Sequence, residues 1–170
     1  MEKFVVKVEA EEDSFKRANE IAKKGSELLQ VLREQVDQAE KNFKIAEQLN
    51  AKVVLYLVNA LEMVDGKLMH ISTDYVFNGN SSRPYKESDS VSPINVYGQT
   101  KRAGELLVLN SSIDAIVIRT SWLYSAYGNN FVKSILRLGN EKESLKVVND
   151  QKGNPTYAKD LAKICLDILS

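Results

Sequence analysis

The chain has 170 residues, 44% of them hydrophobic, which suits one domain with a sizeable core. Its 23 basic and 23 acidic side chains balance, so there is no basic stripe for nucleic acid and no acidic tail. No apolar run approaches the length of a transmembrane helix, and a single Cys with a single His cannot build a metal cluster.

Residues 4–8, Phe-Val-Val-Lys-Val, form a short β-branched run and predict a strand. Met1-Glu2-Lys3-Phe4 lacks the apolar core and small-residue cleavage site of a signal peptide. Residues 12–32 predict a helix, with apolar positions at Phe15, Ala18, Ile21, Ala22, Leu28, Leu29 and Leu32 and a break at Gly25. A second helix is expected over 36–63, carrying Ala39, Phe43, Ala46, Leu49, Val53, Leu57 and Leu61. Within it, 53–58 is β-branched enough to read as a strand by composition alone. The Lys/Glu-rich face of 11–47 reads as solvated surface or a partner-facing side.

The apolar run 68–72 predicts a buried strand, and 78–92, rich in Ser, Asn, Gly and Pro, predicts a loop. Ser92-Pro93 reads as an N-cap with proline at the first helical position, opening a helix that runs to about Leu109. A buried strand follows at 115–119. A helix at 129–138 would be stopped by Gly139, and 145–148 reads as another strand. The last helix starts near Thr156 and runs to Leu169. Strands alternating with helices imply an α/β fold with a mainly parallel sheet, here including 68–72, 115–119 and 145–148. Cys165 sits in the apolar pattern Leu161, Ile164, Cys165, Ile168 and reads as a small buried hydrophobe of a protein kept in reducing cytoplasm.

The chemistry concentrates at three residues. Tyr97 and Lys101 are four apart, which on a helix places phenol and ammonium on one face. A phenol with an ordinary pKa of about 10 needs help to release a proton near neutrality, and a nearby ammonium favours its phenolate. Thr73 closes the run 68–72, and a hydroxyl at a strand end can hold a reacting oxygen. These are the parts for reducing a carbonyl with hydride from a nicotinamide. The bland alternative for a Tyr-x-x-x-Lys pair is a solvated helix face. His70, inside an apolar strand, reads as a packed core position.

The text around these residues is Ser72-Thr73-Asp74-Tyr75-Val76-Phe77, Asn95-Val96-Tyr97-Gly98-Gln99-Thr100-Lys101, Arg119-Thr120-Ser121-Trp122, Gly128-Asn129-Asn130-Phe131 and Asp150-Gln151-Lys152-Gly153-Asn154-Pro155-Thr156. In order and spacing it resembles the dTDP-4-dehydrorhamnose reductase family of the extended short-chain dehydrogenase/reductase superfamily, over about residues 36–165. The resemblance implies a Rossmann-like three-layer fold, with 1–170 as a single domain: 1–35 an atypical strand and helix, 36–170 a reductase-like core. It implies Thr73, Tyr97 and Lys101 as catalytic residues. Tyr97 would donate a proton to the C4 carbonyl oxygen of a dTDP-linked keto sugar, and Thr73 would hydrogen-bond that oxygen. Lys101 would lower the tyrosine pKa, with Tyr97 and Lys101 meeting a cofactor, NADPH or NADH. Substrate contacts are implied at Asp74, Tyr75, Trp122 and Asn130. The dTDP-4-dehydrorhamnose substrate, cytoplasmic localisation and a homo-oligomeric state complete the expectation, with no nucleic-acid, membrane or metal partner. Trp122 reads equally as a core aromatic under a strand end. Asn129 reads also as the cap of the helix at Phe131, and Thr156 as the cap of the last helix.

The family's opening glycine-rich turn, which brings backbone to the pyrophosphate, has no counterpart here. Val8-Glu9-Ala10-Glu11-Glu12-Asp13-Ser14 follows the first expected strand, and its four carboxylates would repel an anion. The expectation is therefore a truncated or chimeric reductase-like chain with impaired activity. The alternative is a non-catalytic regulatory or binding module on the same scaffold, like the family relative that regulates methionine adenosyltransferase. A third reading is an interaction module formed by the helices of 12–63.

Overall fold

The computed structural model describes residues 39–147, 149 and 151–169. The strand expected at 4–8 and the helix expected at 12–32 lie outside these residues. The described chain falls into two compact units, divided between Thr120 and Ser121.

In the first unit a helical stretch comprises α1 (Phe43–Glu47), one π-helical turn (Gln48–Lys52) and α2 (Val53–Glu62). Ala46, Asn50, Val54 and Val58 recur every fourth residue and are buried, while Phe43, Ile45, Leu55 and Tyr56 stay exposed. That period is helical, so the 53–58 stretch follows its stripe rather than its β-branched composition. Strand β1 (Leu68–Thr73) pairs in parallel with β2 (Ala115–Thr120), in register from Leu68 opposite Ala115 to Thr73 opposite Thr120. A parallel pair needs a crossover, and helix α3 (Val96–Leu109) supplies it. Val54, Val58, Leu68 and Val108 form the core between helices and sheet, with Leu61, Leu107, Ile113, Ala115 and Val117 packed around them. The helices approach closely at Gly104, where a Cβ would lie 2.2 Å from the Asn50 carbonyl oxygen.

Helix α3 starts later than Ser92-Pro93 predicts. Asn95 is the cap, its Oδ1 accepting from the Gly98 N–H at 2.7 Å. The Ser92 N–H instead bonds the Val76 carbonyl at 3.0 Å, which ties Ser92 to the segment after β1 rather than to the helix.

In the second unit, β3 (Leu123–Tyr124) pairs in parallel with β4 (Thr156–Tyr157), and the Tyr124 and Tyr157 rings stack at 5.4 Å. Thr156 therefore enters a strand, and helix α5 (Ala158–Leu169) begins after it. Helix α4 (Phe131–Glu141) passes through Gly139 and ends two residues later, at an Arg137–Glu141 pair of 3.0 Å. Residues 145–147 form no strand: Val147 is half exposed, and no backbone partner pairs with them among the described residues. An unpaired run of β-formers cannot be a strand, because its amides need a ladder. The architecture is α/β and Rossmann-like, with both strand pairings parallel. Among the described residues, no helix is long and apolar enough to cross a membrane.

Candidate active site

Thr73 ends β1 with extended backbone, and the chain then tightens into a 3-10 turn at Asp74–Val76. The Thr73 hydroxyl organises this turn. Its Oγ1 accepts the Tyr75 N–H at 3.2 Å and donates to Asp74 Oδ1 at 3.2 Å. The turn lies directly on the first turn of α3. A Cβ on Gly98 would fall 2.1 Å from the Tyr75 carbonyl oxygen, so only glycine lets the two backbones meet.

This contact delivers Tyr97. Its ring is buried and packs edge-on against Tyr75 at 5.8 Å and 81°, and its phenol is near enough to the Thr73 hydroxyl to feel it. Burial pushes the Tyr97 phenol up to about 12; the Thr73 hydrogen bond opposes this, and the Asp74 carboxylate adds to it. The sequence expectation of a lowered phenol is thus reversed, because desolvation of a phenolate outweighs local help. Tyr97 keeps its proton throughout the neutral range. It is equipped as an acid for an oxygen that becomes an alkoxide, a far stronger base.

Lys101, one turn further along α3, is fully buried and donates from Nζ to the Ile71 carbonyl at 2.7 Å. Its ammonium therefore sits under β1, two residues before Thr73. Asp74 is mostly buried, and desolvation raises its carboxyl above the ordinary value against the opposing Thr73 hydroxyl. The structure thus gathers Thr73, Asp74, Tyr75, Tyr97 and Lys101 where β1 meets α3. A protonated buried phenol, a strand-end hydroxyl and an ammonium on the same helix fit the nicotinamide end of a dinucleotide. Residues 8–14, expected in place of a glycine-rich pyrophosphate turn, lie outside the described residues.

Two polar residues in this unit escape sequence reasoning. Asn50, in the π-helical turn, is buried and donates from Nδ2 to Thr100 Oγ1 at 3.0 Å, between Tyr97 and Lys101 in sequence. Single π-turns inside helices are frequent at functional sites. Glu105 is fully buried and accepts from Arg119 Nε and Nη2 and from Arg102 Nη1, each at 2.8 Å. Burial opposes its ionisation, yet hydrogen bonds from Arg119 and Arg102 hold its carboxyl at about 2. The available signal was position. Asn50 continues the stripe of Ala46, Val54 and Val58, and Glu105 that of Tyr97 and Lys101.

Trp122 and Asn130 belong to the second unit. Asn130, not Asn129, caps α4: Oδ1 accepts the Lys133 N–H at 3.1 Å, and Nδ2 donates to the Ser125 carbonyl at 2.7 Å. Its buried amide therefore has a structural duty already. Trp122 is 43% exposed and adopts a positive φ of 42°. Among the described residues no cluster of His, Cys, Asp and Glu is arranged to hold a metal ion.

Residues 32–170 match the RmlD substrate binding domain family. The dTDP-4-dehydrorhamnose reductase of Aggregatibacter actinomycetemcomitans is 46% identical over 133 residues, 78% of this chain and 45% of that protein. The spore coat polysaccharide biosynthesis protein SpsK of Bacillus subtilis is 43% identical over 135 residues, 79% of this chain and 48% of that protein. The crystal structure of the Bacillus anthracis dTDP-4-dehydrorhamnose reductase in complex with NADP superposes with a TM-score of 0.76 at 45% identity, covering 79% of this chain and 48% of that one. The chain spans about half the length of these relatives, and by family match, sequence identity and fold it belongs to the dTDP-4-dehydrorhamnose reductase family.

Proposed function

We propose that this chain carries the proton-transfer site of an NAD(P)H-dependent sugar-nucleotide reductase acting on dTDP-4-dehydrorhamnose, with turnover impaired by its N-terminal sequence. The observation that carries the reading is the burial of Tyr97 and Lys101, one turn apart on α3, against the end of β1 where Thr73 stands. Two hydroxyls meeting there suit one carbonyl oxygen held between them. Tyr97 donates the proton as general acid, and Thr73 holds the oxygen while charge develops on it. Lys101, anchored to the Ile71 carbonyl, adds positive charge behind the site and favours the phenolate left after donation. A bound nicotinamide would supply the hydride, with Tyr97 and Lys101 at its ribose end. Asp74 and Tyr75 contact the sugar nucleotide from the same turn. Trp122 and Asn130 are assigned to it on the family resemblance, and the cytoplasm suits a chain with one cysteine. The NADP complex of the Bacillus anthracis relative supports the cofactor.

The test is NADPH oxidation with dTDP-4-dehydrorhamnose, with product identified by mass. Slow turnover that vanishes in Tyr97→Phe is expected. Sugar-nucleotide binding without turnover would favour the second reading, a binding module, which the carboxylates Glu9, Glu11, Glu12 and Asp13 make the closest competitor. Neither binding nor turnover would overturn the proposal.

A further inference from the structure

Trp122 is the only tryptophan in the chain, and its φ of 42° lies in a region that bulky side chains rarely adopt. Its neighbours in the second unit hold it there. The Trp122 carbonyl accepts the Thr156 N–H at 3.2 Å, and the adjacent Ser121 hydroxyl donates to the Asn154 carbonyl at 2.7 Å. The indole meets the Phe131 ring at 6.3 Å, tilted by 48°. Gly153 lies against the indole itself. A Cβ there would come within 2.5 Å of Cε2, 2.6 Å of Nε1 and 3.0 Å of Cζ2. Gly153 has no left-handed torsion to justify glycine, so the requirement is space alone. Yet 43% of Trp122 remains exposed. The 152–154 segment thus acts as a strap against the indole and leaves much of the residue open to a ligand. Strained residues persist where surrounding structure over-determines them, and they cluster at ligand clamps.

We propose that Gly153 is a positioning residue for substrate: the 152–154 strap sets the depth and angle of the Trp122 indole so that its exposed part meets the sugar nucleotide. This rests on the reading above that Trp122 touches that ligand. A methyl group at position 153 forces the indole or the strap to move by roughly 1 Å, and a gap of that size removes a quarter to a half of a contact's dispersion attraction. Ring contacts of this kind contribute enough that affinity should fall roughly three- to tenfold.

The test compares Gly153→Ala, Trp122→Phe and the double variant by calorimetric titration with dTDP-L-rhamnose, with folding checked by circular dichroism. In Gly153→Ala, the lone tryptophan should shift its emission and change its acrylamide quenching, and binding should weaken three- to tenfold. In the Trp122→Phe background, where the smaller ring leaves room, Gly153→Ala should change affinity no further. Wild-type affinity in Gly153→Ala, or an equal loss in the Trp122→Phe background, would overturn the proposal. If Gly153→Ala does not fold, Trp122→Phe alone must weaken binding to a similar extent, or the proposal fails. If the wild-type chain binds no sugar nucleotide while Gly153→Ala still shifts the emission, the substrate reading falls and the packing of Gly153 on Trp122 stands.

Discussion

The Glu105 carboxylate accepts two parallel 2.8 Å hydrogen bonds from the Arg119 guanidinium, and so clamps the middle of α3 to the end of β2. The guanidinium also lies 5.1 Å over the Phe77 ring, which stacks on Tyr85 at 4.2 Å. One buried carboxylate thereby links the helix carrying Tyr97 and Lys101 to the strand and to the segment after β1. Removing one member of such a pair leaves the other charge uncompensated, at a cost of about 3–5 kcal/mol when both are deeply buried. Arg119 retains some exposure, so Glu105→Ala should destabilise by about 3 kcal/mol, read as a lower urea midpoint with unchanged slope. A loss below about 1 kcal/mol would show the clamp to be redundant.

The same carboxyl predicts acid behaviour. Its folded pKa, about 2, lies below the ordinary carboxylate value, so the stabilisation is complete above the unfolded pKa. It is lost as pH falls from there through about 2. Glu105→Gln should flatten the acid limb of a stability–pH curve, measured by thermal denaturation at steps from pH 6 down. An acid limb identical to wild type would assign acid sensitivity to other groups.

Gly98 offers a test whose sign opposes helix propensity. Alanine is the better helix former by about 1 kcal/mol, so at an open helical position Gly→Ala stabilises. Here the added Cβ would fall 2.1 Å from backbone oxygen of Tyr75, which cannot swing aside as a side chain does. Gly98→Ala should therefore destabilise by roughly 1–3 kcal/mol and displace Tyr97 from Thr73. A thermal midpoint at or above wild type would show that the 74–76 turn yields freely.

Tyr97 has two measurable signatures. If the chain turns over substrate, Tyr97→Phe should remove nearly all of that turnover, roughly 10²–10⁴-fold, while the chain stays folded. In the unliganded protein its phenol should ionise only near pH 12, whereas ordinary tyrosines ionise near 10. Its folded pKa is raised, so the contribution to stability is complete below the unfolded value and lost as pH rises through about 12. Ultraviolet difference titration of wild type against Tyr97→Phe isolates this one phenol. A difference spectrum with a midpoint near 10 would show an accessible ring and contradict the buried site.

The placement of the candidate residues was legible in the sequence because its parts are local. Thr73 ends an apolar run, and Tyr97 and Lys101 are one helical turn apart, so periodicity places them on strand and helix, while the role expected of them rests on the family resemblance. What the sequence hid depends on distant partners. Residues 145–147 have strand composition but no neighbouring strand among the described residues, whereas Thr156, expected as a cap, found Leu123 opposite it. Asn95 took the cap from Ser92 because Ser92 bonds Val76, sixteen residues earlier. Glu105 and Asn50 look solvated by residue type, and partners the sequence does not reveal, Arg119 and Arg102 for Glu105 and Thr100 for Asn50, make their burial tolerable. The raised Tyr97 phenol belongs here too. Spacing reveals a neighbouring ammonium, but not how much water the fold removes.

Cofactor binding is where this chain is expected to differ from a reductase with a glycine-rich turn. Such a turn binds pyrophosphate through backbone N–H groups and a helix N-terminus, and added salt weakens that attraction. Here Glu9, Glu11, Glu12 and Asp13 follow the first expected strand, and the sequence expectation is that they repel an anion instead. NADPH should therefore bind weakly, and raising ionic strength should tighten binding by screening the repulsion. The variant Glu11→Gln, Glu12→Gln, Asp13→Asn should tighten it at low salt and remove the salt effect. Titration of NADPH fluorescence across a salt series, with wild type and variant side by side, measures both. Tight binding by wild type that weakens with salt would show that these carboxylates lie away from the phosphates. The Thr73, Tyr97 and Lys101 site would then be served by a cofactor cradle built from other residues.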